Sequence, residues 1–292
     1  MYSIRRAMII PTVAVMLGAG GFTTFAGPLS AQTQSEEFQP AEVERLEAFL
    51  EVTGFDVALE SIRLSADSAP LMLGLEAADF GSEWKRLVSE VFETGLMHDM
   101  AIDILGKTLS EPLLSHAAEF YATDLGRRLV EVENRSHMIE EDGLKSESGS
   151  QIIEGLNSID SPRVAILERL NAASGNEDSS VRSIQEVQIR FLMAAAGAGV
   201  IELQMDEPDL REAMRSQEDE LRSNLRRSAL ESSAYTYQAF SDAEMITYAE
   251  ALEHPDMKEV YGLMNAVQYE IMANRFEAVA ERLRVMQPSQ DL

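Results

Sequence analysis

Apolar residues spaced three and four positions apart, with no sustained apolar–polar alternation, confine this chain to helices. Val43, Leu46, Phe49 and Leu50 share one helical face between a first-turn Pro40 and a stop at Gly54. A longer amphipathic stretch opens at Ser82 and carries Leu87, Val88, Val91, Met100, Ile104 and Leu105 as far as Gly106. Ser161-Pro162 opens another, with Val164, Leu167 and Leu170 inward and Gly175 as its end. From Ser180 onward, Val181, Ile184, Val187 and Phe191 again fall on one face. A strand would need period-two alternation enriched in Val, Ile and aromatic residues, and no segment sustains it. The expected fold is all-α, a helical bundle of about ten helices in two halves.

The first residues read as an export signal rather than as part of that bundle. Arg5 and Arg6 precede an uncharged run from Ala7 to Ser35, whose apolar part, Met8 to Leu17, gives way to Gly18-Ala-Gly-Gly21 and then to Leu29-Ser30-Ala31. This is the order of a cleaved secretory signal, residues 1–31, with cleavage after Ala31. An uncleaved anchor is the competing reading, since the run is long enough for a bilayer core of about 30 Å. Gly18, Gly20, Gly21 and Pro11 argue against it. The paired arginines leave the general secretory and twin-arginine routes both open. The expected location is the periplasm, with no stable membrane span once the signal is gone.

Charge excludes several partner classes. The chain carries 24 Lys plus Arg against 50 Asp plus Glu, a net charge of −26. Removing the signal takes away Arg5 and Arg6 and deepens the excess. Such a surface repels phosphate backbones, so nucleic acid is excluded as a partner, and docking to anionic lipid is disfavoured. A hydrophobic content of 45% with regular periodicity argues for a packed core rather than acidic disorder. The chain has no cysteine, hence no disulfide, thiolate ligand or thiol nucleophile.

The run from Glu140 to Gln151 is polar, with two glycines and three serines. It reads as an exposed loop, residues 141–151, between an N-terminal half, 32–140, and a C-terminal half, 152–292. The halves share a weak repeat at an offset of 131 residues. Leu109-Ser110-Glu111 corresponds to Phe240-Ser241-Asp242, Ala118-Glu119 to Ala249-Glu250, Leu129 to Val260, and Asn134 to Asn265. Each copy reads as a short helix, a turn and a longer helix. Ser110 and Ser241 stand at N-cap positions, and Thr123-Asp124 and His254-Pro255 mark the breaks. Chance similarity between two amphipathic pairs is the alternative.

Leu109 to Glu131 contains Leu-Ser-Glu-Pro-Leu-Leu followed by Ala-Glu-Phe-Tyr-Ala-Thr-Asp-Leu-Gly-Arg-Arg-Leu-Val-Glu. It resembles the helix-turn-helix signature of an exported bacterial family catalogued as domain of unknown function 2059. Ser241 to Leu263 is similar to the variant found in the second half of longer members. Both copies depart from the family's Ser-Pro-x-Gly turn, with Thr123-Asp124-Leu125-Gly126 and His254-Pro255-Asp256-Met257 in its place. The resemblance implies an all-α periplasmic protein and brings no activity and no catalytic residues.

Motifs for chemistry are sparse. His98, His116, His137 and His254 form no His-Glu-x-x-His pair, and the one-turn pairs Glu133 with His137 and Glu250 with His254 read as ion pairs before they read as a metal site. No Gly-x-Ser-x-Gly elbow is present, and Ala196-Gly197-Ala198-Gly199 lacks the third glycine and the preceding strand of a dinucleotide loop. Those small residues are expected to let two helices approach closely. No cofactor is implied, no metal site is assigned, and no catalytic residue is named. Tyr235, Tyr237, Tyr248, Tyr261 and Tyr269, with Met257 and Met264, either fill the core or line an adaptable surface. The leading expectation is a non-enzymatic protein that binds an envelope protein through an apolar groove between the halves. Phe120, Tyr121, Tyr248, Met257, Tyr261 and Met264 are its candidate residues. Alternatives are a carrier of a small apolar ligand in the same groove and an unrecognised hydrolase.

Overall fold

The computed structural model describes residues 42–66, 69–75, 80–139, 142–175 and 177–284. The signal segment 1–31, the Ala31 cleavage position and Pro40 lie outside the described residues. Among the described residues fourteen helices follow one another: α1 (Val43–Thr53), α2 (Phe55–Ser65), α3 (Ala69–Met72), α4 (Ser82–Val91), α5 (Thr94–Thr108), α6 (Glu111–Tyr121), α7 (Asp124–His137), α8 (Asp142–Ser158), α9 (Arg163–Ser174), α10 (Glu177–Gly197), α11 (Glu207–Arg215), α12 (Glu218–Thr236), α13 (Asp242–Glu253) and α14 (Pro255–Leu283). No strand occurs among the described residues. The fold is an all-α bundle with more helices than the ten or so that periodicity suggests.

Local capping explains part of the difference. The stretch expected to run unbroken from Ser82 to Gly106 divides at Glu93, whose backbone is extended and whose carboxylate accepts from the N–H groups of Gly95 at 3.0 Å and Leu96 at 2.7 Å. A carboxylate at that point satisfies two free N–H groups and meets the positive end of the helix dipole, so α5 starts afresh. Ser241 forms the expected capping box with Glu244, Thr123 caps α7 by accepting from the Gly126 N–H, and α14 opens at Pro255. The helix starts of α6 and α13, Glu111 and Asp242, and those of α7 and α14, Asp124 and Pro255, are both 131 residues apart.

The expected loop 141–151 is the largest correction. Residues from Asp142 onward form the first part of α8, which lies along α12. Composition misleads here because Gly149 and the serines serve close packing instead of a turn. A Cβ on Gly149 would stand 2.1 Å from the Glu231 carbonyl oxygen, so only glycine admits the α12 backbone at that distance. Ser146 donates to the Glu231 carboxylate beside it. Poor intrinsic helix propensity is overridden by a tertiary partner. A second correction falls at Ala196–Gly199, where Gly197 and Gly199 face open space and α10 simply ends.

α14 is the axis of the molecule. It packs against α4, α5 and α6 of the N-terminal half and against α9, α10 and α13 of the C-terminal half, so both halves share one core. Phe276 meets Phe92 edge-on at 5.8 Å and Phe191 edge-on at 5.5 Å, joining the end of α4 to α10 through α14. Arg190 on α10 reinforces that seam with a two-pronged pair to Glu277 at 2.9 and 2.6 Å and a bond to Glu270 at 2.8 Å.

Gly54 turns the chain from α1 into α2 at φ 72°, in the left-handed region. A Cβ there would meet the Asn134 side chain on α7 at 2.2 Å. Gly54→Ala is expected to cost about 1–2 kcal/mol through the backbone alone, with displacement of Asn134 added. Urea unfolding of the two proteins side by side checks it.

Candidate functional site

Between the N-terminal and C-terminal helices lies a cavity of about 1260 Å³, walled mainly by α2, α7, α9, α10, α12 and α14, with Thr53 of α1, Tyr121 of α6, Lys145 of α8 and Tyr248 of α13 completing the lining. Its shape follows from small residues on α2. Gly54, Ala58, Ser61 and Ser65 recur at three- and four-residue spacing on the face turned toward it. Ser61 and Ser65 donate to the Ala58 and Ile62 carbonyls of their own helix at 2.7 and 2.6 Å, which lets polar residues sit there without opening the helix. The floor is a stripe on α14: Tyr261, Met264, Asn265, Gln268 and Tyr269. Glu133, Asn134 and His137 face it from α7, and Ser233 and Tyr237 from α12.

One end of the cavity is a cluster of phenols about a carboxylate. Glu133 Oε1 accepts from the hydroxyls of Tyr237 at 2.7 Å and Tyr248 at 3.0 Å. The Tyr248 and Tyr261 hydroxyls are 3.0 Å apart, and Tyr261 also bonds Tyr121. A phenol has a single hydrogen, so an ionised Glu133 sets the direction of the whole chain. Tyr248 spends its hydrogen on Glu133, Tyr261 must then donate to Tyr248, and Tyr121 to Tyr261. Burial pushes the Glu133 carboxyl up from its ordinary value, while the Tyr237 and Tyr248 bonds pull it down. Burial, then the neighbouring carboxylate and phenols, raises Tyr121, Tyr237 and Tyr248, and burial raises Tyr261, so all four stay protonated at neutral pH.

Farther along the floor, Asn265 is 6% and Gln268 4% exposed. The amide nitrogens of both have no protein partner. An unpaired buried amide is costly, and native interiors rarely leave one. Asn265→Leu is expected to raise the unfolding free energy by about 1–3 kcal/mol, the cost of burying an unpaired donor; thermal and urea unfolding read it directly. His137 also faces the cavity. Burial first, then the nearby Lys145, lowers its pKa to about 4, so its ring is neutral at pH 7. At the rim Arg226 grips Glu177 at 2.8 and 2.7 Å, and Arg222 bonds Asp178 at 2.7 Å.

Of the residues proposed from sequence, Tyr121, Tyr248, Tyr261 and Met264 line this cavity. Phe120 stacks on Tyr248 at 5.7 Å and supports it from behind, and Met257 is buried in the core. Tyr237 and Tyr269 line the cavity as well, whereas Tyr235 lies elsewhere on α12. The lining is mixed: apolar surface predominates, and Glu133, Asn265 and Gln268 add polar groups to it. Glu133, Asn265 and Gln268 line the cavity without being among the residues proposed for the groove. Asn134 and Asn265, the pair matched at the 131-residue offset, both face the cavity. The one-turn pairing of Glu133 with His137 is real in position, but Glu133 is held by phenols instead.

His254 caps α14, its Nδ1 accepting from the Asp256 N–H at 3.3 Å, and its ring stacks on His116 at 4.2 Å with 27° between planes. Among the described residues His116, His254 and Asp256 bring three metal-ligand atoms together. Imidazole lone pairs lie in the ring plane, so near-parallel rings point past a shared ion, and one would have to turn before both held it.

Residues 96–154, roughly a fifth of the chain, match a family model described as an uncharacterized protein conserved in bacteria (DUF2059). The matched stretch runs from α5 through most of α8 and includes Tyr121, Glu133 and His137. No curated protein and no solved structure matches the chain.

Proposed function

We propose that this chain is a non-enzymatic binding protein of the bacterial envelope that holds a small polar ligand in the cavity between its halves. The observation that carries this reading is a cavity large enough for a small molecule, with two residues on its wall, Asn265 and Gln268, whose buried amide nitrogens have no protein partner. A cavity walled by helices of both halves suits a small ligand better than a segment of a partner protein. The buried carboxylate of Glu133 and the unpartnered amides of Asn265 and Gln268 favour a ligand with polar groups over the wholly apolar one that tyrosine and methionine spacing alone suggests. The serines of α2 give their hydrogens to their own helix, which supports binding over nucleophilic chemistry. Export of the chain rests on the order of charged, apolar and small residues in 1–31.

Native mass spectrometry of the protein, purified from an envelope extract without detergent, tests the reading. An added mass that survives gel filtration, and that Ala58→Phe displaces by filling the α2 wall, is the expected result. A bare mass in both proteins would overturn it and return attention to a protein partner.

A further inference from the structure

The two ends of the α14 stripe ask for different chemistry. At the Tyr261 end every phenolic hydrogen runs toward Glu133, so what remains for an occupant is acceptor lone pairs. The second carboxylate oxygen of Glu133 has no protein donor among the described residues, and no ion pair there includes Glu133. Of the cationic side chains on the cavity wall, Lys145 bonds the Ser136 carbonyl at 3.4 Å, Arg226 bonds Glu177 and Arg227 bonds Asn224. At the other end Asn265 and Gln268 offer donors without acceptors. They lie one and two turns beyond Tyr261, about 6 and 10 Å along the helix axis. A net charge of −26 adds a field that draws cations toward the protein.

We infer that the cavity takes a small organic amine, its ammonium group held by Glu133 and the tyrosine oxygens, with an oxygen acceptor farther along the molecule meeting Asn265 and Gln268. A hydroxyl brings one donor to the acceptor-lined end and no charge; an ammonium brings three and a full positive charge. A carboxylate would meet like charge there. The inference rests on the reading of the cavity as a binding site and specifies what that site selects.

Three probes with one tail and three heads separate the possibilities: 6-aminohexanamide, 6-hydroxyhexanamide and the monoamide of adipic acid. Each is titrated calorimetrically into the full chain, into Glu133→Gln and into Asn265→Leu, with circular dichroism and melting curves showing that the variants are folded. The ammonium probe is expected to bind at least about tenfold more tightly than the hydroxyl probe, as one charge-assisted contact would give, and the acid probe not at all. Glu133→Gln should abolish the preference for the ammonium head. Asn265→Leu should weaken the ammonium and hydroxyl probes alike, because it touches only the tail. Equal or tighter binding of the hydroxyl or acid probe, or a preference that survives Glu133→Gln, overturns the inference. A co-purified ligand that contains no amine overturns it too, while leaving the binding reading in place. Failure of all three probes together with a bare native mass removes the binding reading itself.

Discussion

Phe276→Ala is expected to lower the unfolding free energy by about 3–5 kcal/mol, the usual range for deleting a fully buried ring. Phe276 is 2% exposed and is the ring on which Phe92 and Phe191 both meet edge-on. Those contacts come from two different helices, the end of α4 and α10, so neither neighbour can close the gap without abandoning its own helix. Phe276→Leu keeps most of the volume and should cost far less. The same experiment tests whether the halves are one folding unit. Trp84 is the only tryptophan and is buried in α4. Its fluorescence reports the N-terminal helices, while far-ultraviolet circular dichroism reports all of them. Because α14 packs against both halves, the two urea transitions should coincide in the natural protein and shift together in Phe276→Ala. Separate transitions would show that the shared core is weaker than its packing implies.

The second large effect is acid sensitivity through His137. Its folded pKa of about 4 lies below the ordinary 6.5, so the unfolded chain takes up the proton first. The contribution of the neutral ring is complete above pH 6.5 and is lost as pH falls from 6.5 toward 4. At about 1.4 kcal/mol for each pKa unit the loss comes to about 3.5 kcal/mol, an upper bound because one side of the ring faces the cavity. Glu133 runs the other way. Its raised pKa makes the folded protein hold the proton longer, so its contribution is present below the ordinary carboxylate value and is lost as pH rises through the raised one. The two slopes oppose each other wherever their windows overlap. His137→Gln should therefore flatten the loss of stability between pH 6.5 and 4, and Glu133→Gln should steepen it. Urea unfolding free energies at several pH values read both slopes; an unchanged profile in His137→Gln would mean that the ring is solvated through the cavity.

Neighbouring residues were enough to indicate most of the helices. Leu46, Phe49 and Leu50 face inward in α1, as do Leu167 and Leu170 in α9 and Val181, Val187 and Phe191 in α10. The starts at Ser241 and Pro255 were visible because a capping box and a first-turn proline act within four residues. Residues 141–151 were misread for the complementary reason. Gly149 there serves an approach to Glu231, more than eighty positions away, and no local pattern contains that distance. Tyrosine spacing pointed to Tyr121, Tyr248 and Tyr261, yet it could not say that their hydroxyls form a chain ending on Glu133 or that a cavity lies beside them.

The sequence by itself determined what short-range physics controls: an all-α chain, many of its helix boundaries, its acidity and the absence of thiol chemistry. Tertiary structure alone decided that α8 exists, that both halves share α14, and that Glu133, Asn265 and Gln268 border one cavity. Helix periodicity gives the side that a residue faces, but which helix stands opposite depends on packing among all of them. A buried carboxylate or an unpaired amide acquires its meaning only from that neighbour.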